Sequence, residues 1–481
     1  MKKKYLIIFQ ILLSFHFSIG QNQQLLKTMS YSARTSVCSV ETDSTGNIYI
    51  AGNFSPPYHG SGPKGIFLSK YSSAGILFWN DTCHYESSGI WYACLGISVD
   101  KAGNTYITGA LQADSNTTPC KGYQGSANSF VSKFNSDGQV IWVKQICNGW
   151  SKTISVGENG LIYVGGECNQ GKIDSFTING PGFIAVYEKN GSCIKALSTD
   201  GAIYSVTSDA RSNYFYFSHP SMYQNRINKC DSNHNLIWSH NTTSLGGSIK
   251  ADKKGNCYFT GQMWGCLTFG NTTVCGSGQN GYGAFICRIN PSGQFDLVIS
   301  ADSTAGYGID IDDFGNIYST CPIPINPPIK NLIITKYDAF GNIQKTYAIP
   351  RHANYWYEGR SIKAFNDVIY VAGYTSSECM LGFLAKISEA NPIGIKETKD
   401  SELQNEFNVF PNPTGGILNI KINNNNETVS IELTNTLGQI VWNKKINDKH
   451  SAFDISHLPH GIYFVIVKQN SAVKTLKLLK Q

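Results

Sequence analysis

A chain of 481 residues is long enough for about three domains of ordinary size, or for one large closed architecture with an appendage. Charged residues make up 15% and aromatic residues 12%, which excludes an intrinsically disordered or coiled-coil protein, since both need far more charge. The net charge of +6 is small for this size and forms no dense basic stripe, so no nucleic-acid partner is expected.

Residues 1–20 read as a secretory signal. Lys2, Lys3 and Lys4 supply the positive start, Tyr5 to Ile19 are mostly apolar, and Ser18-Ile19-Gly20 places small residues before cleavage at Gln21. The apolar run falls short of the ~20 residues that span a bilayer, and no later run is longer, so no transmembrane anchor is expected in the mature chain.

From residue 21 to residue 388 the chain repeats itself. The pattern Asp-x-x-Gly-Asn-x-Tyr occurs at Asp43 to Tyr49, Asp100 to Tyr106, Asp252 to Tyr258 and Asp312 to Tyr318. Degraded copies end in Tyr163, Phe215 and Tyr370, and the seven aromatic positions recur about every 53 residues. A second pattern follows each copy, an apolar-x-Lys-apolar strand and then a Gly turn, as in Phe67 to Gly75 and Phe130 to Gly138. Trp79, Trp142 and Trp238 close three copies at one equivalent position. In the second copy, Leu95-x-Ile97-x-Val99 reads as a first strand, Thr105 to Thr108 as a second, Phe130 to Phe134 as a third and Val140 to Trp142 as a fourth. A four-stranded unit repeated seven times predicts a seven-bladed β-propeller; a pair of β-sandwiches explains the alternation but not the recurrence. The seventh copy lacks a fourth strand. Leu25 to Met29 is unclaimed and apolar, and is expected to pair beside Phe383 to Ile387 and close the ring. In its Gly-Asn-x-Tyr strands this region resembles β-propeller repeat proteins of the SBBP and NHL-like kind, a resemblance that implies fold and says nearly nothing of activity.

All fourteen Cys lie between Cys38 and Cys379, with no zinc-ligand spacing. In an exported chain disulfide pairing is the favoured use over free buried thiols. Cys266 and Cys275 flank a tight hairpin that brings them within bridging range, and Cys83 with Cys94 is a second candidate.

Propeller geometry places the short Asp-x-x-Gly-Asn and Gly turns on one face and long, variable loops on the other. The long-loop face collects His84 and Trp91 in one loop, Trp150 in the next, and Arg351, His352, Tyr355 and Trp356 in the last. These seven are the candidate ligand face, where aromatic rings would stack on a glycan or a protein segment. The alternative is that the rings pack between neighbouring blades. The sequence contains no HExxH, GxSxG or Walker loop, and Asp312 beside Asp310 and Asp313 is the turn residue of the repeat. No catalytic residue, metal site or cofactor is expected. The function read from the chain is binding or adhesion outside the cell, and its alternative is a secreted lyase or glycoside hydrolase with a dispersed active site.

Residues 389–406 are polar, charged and free of aromatics except for Phe at the boundary that follows, and read as a linker. Residues 407–481 then alternate apolar with other residues as half-buried strands do, and are expected to form a small immunoglobulin-like β-sandwich. Phe410-Pro411-Asn412-Pro413-Thr414, the segment Leu433 to Val441 around Gly438, and Leu458 to Val465 with Gly461 and Tyr463 occur in the order of the type A C-terminal sorting domain of the type IX secretion pathway, which this segment resembles. The resemblance implies contact with the secretion machinery, passage across the outer membrane, and attachment to the cell surface or release.

Overall fold

The computed structural model describes residues 23–29, 34–55, 64–85, 91–112, 129–211, 213–221, 224–276, 281–301, 308–321, 332–349, 357–375, 380–388, 407–411, 413–422, 429–435, 440–446, 448, 450–469 and 472–480. The signal segment and the linker lie outside them. The chain is all-β over these residues and divides into two units, Met1–Glu389 and Ala390–Gln481.

In the first unit the strands form consecutive four-stranded antiparallel sheets, numbered here in chain order. Sheet 1 is Arg34–Thr42, Ile48–Ser55, Lys64–Tyr71 and Leu77–Tyr85. Sheets 2 to 6 begin with the strands Trp91–Val99, Gly149–Val156, Ala202–Ser208, Leu245–Ala251 and Gly308–Ile311. Sheet 7 consists of Tyr357–Phe365, Val368–Thr375 and Gly382–Ser388, and its fourth strand is Gln23–Met29 from the other end of the unit. Leu25 lies opposite Ala385, and Met29 opposite Gly382. The N-terminal strand thus occupies the position expected for it.

The turn chemistry explains why one motif recurs. Asp43 Oδ1 accepts the backbone N–H groups of Thr45 and Asn47 at 2.9 and 3.0 Å, while Oδ2 accepts Asn47 Nδ2 at 2.8 Å and the Tyr49 hydroxyl at 3.0 Å. Gly46 completes the turn at a φ of 83°, which side-chain-bearing residues rarely adopt. Asp312 is used in the same way, by Phe314, Asn316 and Tyr318, so its carboxylate is committed to the turn. The repeat aromatics Tyr49, Tyr106, Tyr163, Tyr258, Tyr318 and Tyr370 are almost wholly buried. Each therefore contributes its full apolar surface to the core while its hydroxyl, in the motif copies, rests on the Asp.

Successive sheets are joined by the second repeated pattern. Lys70 Nζ and Trp79 Nε1 both donate to the Ser136 carbonyl of sheet 2, at 3.2 and 2.9 Å. Lys133 and Trp142 do the same to Lys189 of sheet 3, and Lys229 to Pro291 of sheet 5. Gly138 has to be glycine here, because an added Cβ would stand 2.8 Å from the Trp79 ring. Lys386 of sheet 7 donates to the Ser73 carbonyl of sheet 1 at 2.7 Å, the same contact made across the chain ends.

The cysteine expectation needs correction. Cys266 and Cys275 are bonded, as expected. Cys38, Cys94, Cys147, Cys168, Cys193, Cys230, Cys257 and Cys287, however, carry free thiols, so Cys94 has no bond to Cys83. Cys83 lies on the fourth strand of sheet 1, opposite Ile66, and Cys94 on the first strand of sheet 2, opposite Gly109. The two ends of what reads as one loop belong to opposite edges of neighbouring sheets. Most of the other thiols are core residues of the strands.

The second unit has a three-stranded sheet, Phe407–Phe410, Ile417–Ile422 and His450–Asp454, and a four-stranded sheet, Ile440–Ile446, Val429–Thr434, Gly461–Gln469 and Ala472–Lys480. Leu418, Ile420, Val429, Ile431, Leu433, Phe453, Val465 and Leu478 from both sheets fill one core.

Candidate functional site

The first strands of all the sheets in the first unit surround a cavity of about 650 Å³. Its wall is built by a repeated irregularity. In sheets 1, 2, 3, 4 and 7 the pairing of the first strand with the second slips by one residue, between Val37 and Ser39, Cys94 and Gly96, Ser151 and Thr153, Ile203 and Ser205, and Gly359 and Ser361. The extra residue of such a bulge leaves the ladder and its side chain is re-aimed. Here the extra residues are Cys38, Leu95, Lys152, Tyr204 and Arg360, and all five line the cavity. Sheet 5 also slips by one residue, between Leu245 and Ser248, and places Gly247 on the wall.

Next to the bulge, the wall narrows to small side chains, Ser39, Gly96, Thr153, Ser205, Ser248, Gly308 and Ser361. Several of them stitch neighbouring strands: Ser205 Oγ accepts the Ile249 N–H at 3.1 Å, Thr153 Oγ1 the Val206 N–H at 3.0 Å, and Ser361 Oγ the Val40 N–H at 3.2 Å. Two residues further on, opposite the repeat aromatic, stand Glu41, Ser98, Ser155, Thr207, Lys250, Asp310 and Lys363. Four of these are charged, and they alternate in sign.

Asp310 is completely buried. Its carboxylate faces Lys250 at 3.2 Å and Lys363 at 3.4 Å, and it accepts the Ala364 N–H at 2.8 Å. Glu41 closes the circuit, 3.5 Å from Lys250 and 3.3 Å from Lys363. Burial by itself would raise the Asp310 pKa, but the two ammonium groups and the backbone N–H outweigh it and hold the carboxyl below its ordinary value. Burial likewise opposes the charge on Lys250, and Asp310 and Glu41 overcome it and raise the Lys250 pKa. Each carboxylate is thus committed to two lysines. A general acid needs a proton to give at neutral pH, and Asp310 holds none.

The bulge residues carry the accessible chemistry. Tyr204 is 43% exposed, with the Lys152 ammonium 4.1 Å above its ring and His219 5.6 Å away at an angle. Glu167 holds Lys152 from the other side at 3.1 Å. Arg360 is clamped by Glu358 at 2.7 Å and the Tyr374 hydroxyl at 2.9 Å. The arrangement offers an aromatic edge and two fixed cations on a wall of hydroxyls. It can orient a polar ligand. Among the described residues no three His, Cys, Asp or Glu side chains gather as metal ligands would.

The sequence-based ligand face is only partly described. Trp150 is 39% exposed and belongs to the first strand of sheet 3, Gly149–Val156, rather than to a loop. His84 is on the fourth strand of sheet 1, Leu77–Tyr85, and Trp91 opens the first strand of sheet 2, so both stand on strands rather than in one loop. Strand pairing continues because Lys64 reaches opposite Tyr85, and Trp91 opposite Gln112. Arg351, His352, Tyr355 and Trp356 lie outside the described residues. Sequence reading missed the bulge residues and the charged circuit. Counting back eight positions from the repeat aromatics of sheets 1 to 6 reaches the circuit positions, from Glu41 to Asp310, and ten positions back reaches the small residues.

In the second unit, Pro411 and Pro413 are exposed beside the first strand, while Asn412 and Gly438 lie outside the described residues. Thr414 N–H donates to the Leu479 carbonyl at 2.9 Å, and Lys480 Nζ to the Gly415 carbonyl at 3.2 Å, which joins the Pro-Asn-Pro opening to the Lys-bearing tail. Gly461 begins the strand in which Tyr463 is buried, and the Tyr463 hydroxyl donates to the Pro459 carbonyl at 2.9 Å.

Residues 408–481 match the family model described as the secretion system C-terminal sorting domain. The chain is a type IX cargo. It is exported to the cell surface or the extracellular space, and its sorting domain engages the secretion machinery. No curated protein matches the chain. Among solved structures it is similar to PorZ, a bacterial surface component of the type IX secretion system of Porphyromonas gingivalis, at 11% identity and a TM-score of 0.38, covering 92% of this chain and 81% of that one. It is similar to the Dos1 propeller at 7% identity and a TM-score of 0.42, over 72% of this chain and 77% of that one. A protein of unknown function from Bacteroides caccae is similar at 12% identity and a TM-score of 0.37, over 66% of this chain and 94% of that one. Among the described residues no helix is long and apolar enough to cross a membrane.

Proposed function

We propose that residues 23–388 are a seven-bladed β-propeller, of the SBBP or NHL-like repeat kind, that works outside the cell as a ligand-binding or adhesion platform. An immunoglobulin-like sandwich at residues 407–481 directs it there. The reading rests on one observation, the bulge in successive first strands that sends Lys152, Tyr204 and Arg360 out of an otherwise uniform ladder into the central cavity. On this reading Trp91, Trp150, Tyr355, Trp356, His84, Arg351 and His352 remain the candidate ligand contacts proposed from the sequence. A ligand with a sugar-like or peptide-like polar rim matches a wall of hydroxyls, one partly exposed aromatic ring and two clamped cations. The enzymatic alternative is disfavoured by the commitment of Glu41 and Asp310 to lysines.

The test is a glycan and peptide array probed with the mature protein, followed by titration of any ligand found. Tyr204→Ala and Arg360→Ala are each expected to weaken binding about tenfold, equivalent to about 1.4 kcal/mol, with an unchanged melting temperature because both side chains are substantially exposed. A mature protein that retains nothing on the array, or variants that bind as tightly as the parent, would sink the reading. The sorting role is tested separately. Removing residues 408–481 is expected to leave the chain inside the outer membrane, read by fractionating cells and medium; unchanged appearance at the surface would contradict it.

A further inference from the structure

The free thiols of the first unit are not equivalent. Cys38 and Cys94 are neighbours, but the Asn53 side chain stands between them, donating to the Cys38 sulfur at 3.0 Å and accepting the Cys94 N–H at 2.7 Å. Cys257 pairs with Ile289 and Cys287 with Phe259, a diagonal step in regular strands, which separates Cα atoms by about 7–8 Å and exceeds what a disulfide spans. Cys147 and Cys168 are offset by the same two positions, but Cys147 lies beyond the end of the strand Gly149–Val156, so the spacing of a regular ladder does not fix their separation. Cys168 ends the second strand of sheet 3, opposite Gly149, and Cys147 sits just before that pairing, where the chain leaves sheet 2. The Asn169 N–H donates to the Asn148 carbonyl at 2.8 Å, so the two segments are still held together beyond the strand. Ser129 fixes the Cys147 N–H at 2.9 Å and lies 3.5 Å from its sulfur, which reaches to 3.9 Å from the Glu167 carbonyl, one residue from Cys168. Both cysteines belong to the same buried cluster. Hydrogen bonding between the two thiols pushes the Cys147 thiol up and draws the Cys168 thiol down.

We propose that Cys147 and Cys168 form a disulfide in the exported protein, a covalent strap from the crossover between sheets 2 and 3 to the second strand of sheet 3. Two S–H bonds are lost and one S–S bond forms. The two electrons and two protons pass to the S–S bond of a thiol–disulfide oxidant, which leaves as a dithiol. Export takes the chain through compartments where such oxidants operate. Because both sulfurs are buried in the finished fold, the bond forms while sheets 2 and 3 are docking. Its mechanical effect falls on the cavity wall, since Glu167 beside Cys168 is the partner of Lys152. The bond is independent of the ligand reading, and its test needs no ligand.

Full-length exported protein is collected without reductant, denatured in an alkylating reagent, cut with trypsin and analysed by mass spectrometry. Cys147 and Cys168 fall on consecutive tryptic peptides, 145–152 and 153–172, each with one cysteine. The expected product is these two peptides joined, lighter than their sum by two hydrogens, with Cys257 and Cys287 alkylated. Finding Cys147 and Cys168 both alkylated, or either joined to another cysteine, overturns the proposal. Cys147→Ser, Cys168→Ser and the double variant are expected to melt at one common temperature below the parent, because each removes the same bond. A double variant that is the sum of two separate losses also overturns it.

Discussion

A protein lacking residues 23–29 is expected to melt about 10 °C below the parent and to regain most of that loss when a synthetic peptide of residues 21–31 is added. The reason is the position of this segment in sheet 7. It covers Gly382–Ser388, a strand whose Phe383, Leu384, Ala385 and Ile387 are buried to within 1% of completeness. Without it the strand becomes an open edge with unpaired N–H and C=O groups, and part of that apolar surface meets water. A cost on the order of 5 kcal/mol follows from a few partly uncovered large side chains at about 1.5–3 kcal/mol each, and in a unit this large it moves the melting temperature by about ten degrees. Rescue by the peptide separates lost closure from a general folding defect. A truncated protein that melts like the parent, or fails to respond to the peptide, would show that sheet 7 does not depend on the N-terminal strand.

Asp310→Ala is expected to cost about 3–5 kcal/mol, the usual penalty for removing one partner of a buried ion pair and leaving the other charge uncompensated. The Lys250→Met change alone should be costly as well, whereas combining it with Asp310→Ala should recover part of the loss, because the double variant buries one charge of each sign fewer. Chemical denaturation of the four proteins measures this directly, and additive losses would refute the circuit. The pH dependence follows from the same groups. Asp310 has its pKa lowered, so its contribution is complete above the ordinary carboxyl value of 3.8 and drains away as the pH falls through its lower folded value. Lys250 has its pKa raised, so its contribution is complete below the ordinary ammonium value of 10.5 and is lost as the pH rises through its higher folded value. The circuit is therefore at full strength between those two ordinary values. Asp310→Ala should flatten the acid limb of the stability curve; an acid limb identical to the parent's would count against the assignment.

The placement of the N-terminal strand was readable because sheet 7 has a hole in its repeat. A motif that supplies four strands in six copies and three in the seventh requires a strand from elsewhere, and Leu25 to Met29 was the apolar segment left over. The pairing of Cys266 with Cys275 was readable for a similar local reason, since a short hairpin brings its flanks together whatever surrounds it. Cys83 and Cys94 are almost as close in sequence, yet the boundary between two sheets runs between them, and nothing local marks that boundary.

The amino-acid sequence by itself determined the elements that depend on neighbours along the chain: the Asp-anchored turns, the alternating strands, the repeat, and the sorting motifs near Pro411, Gly461 and Tyr463. Hydrogen bonds within six residues and a periodicity of two are written in consecutive letters. Only the tertiary structure decided which side chains meet at the centre. Glu41 of sheet 1 and Lys363 of sheet 7 are brought together from opposite ends of the first unit, and Tyr204 reaches the cavity because a bulge displaces it from the ladder. Both outcomes depend on how separate sheets pack around a common axis, and packing between segments distant in the chain leaves no mark at any one position.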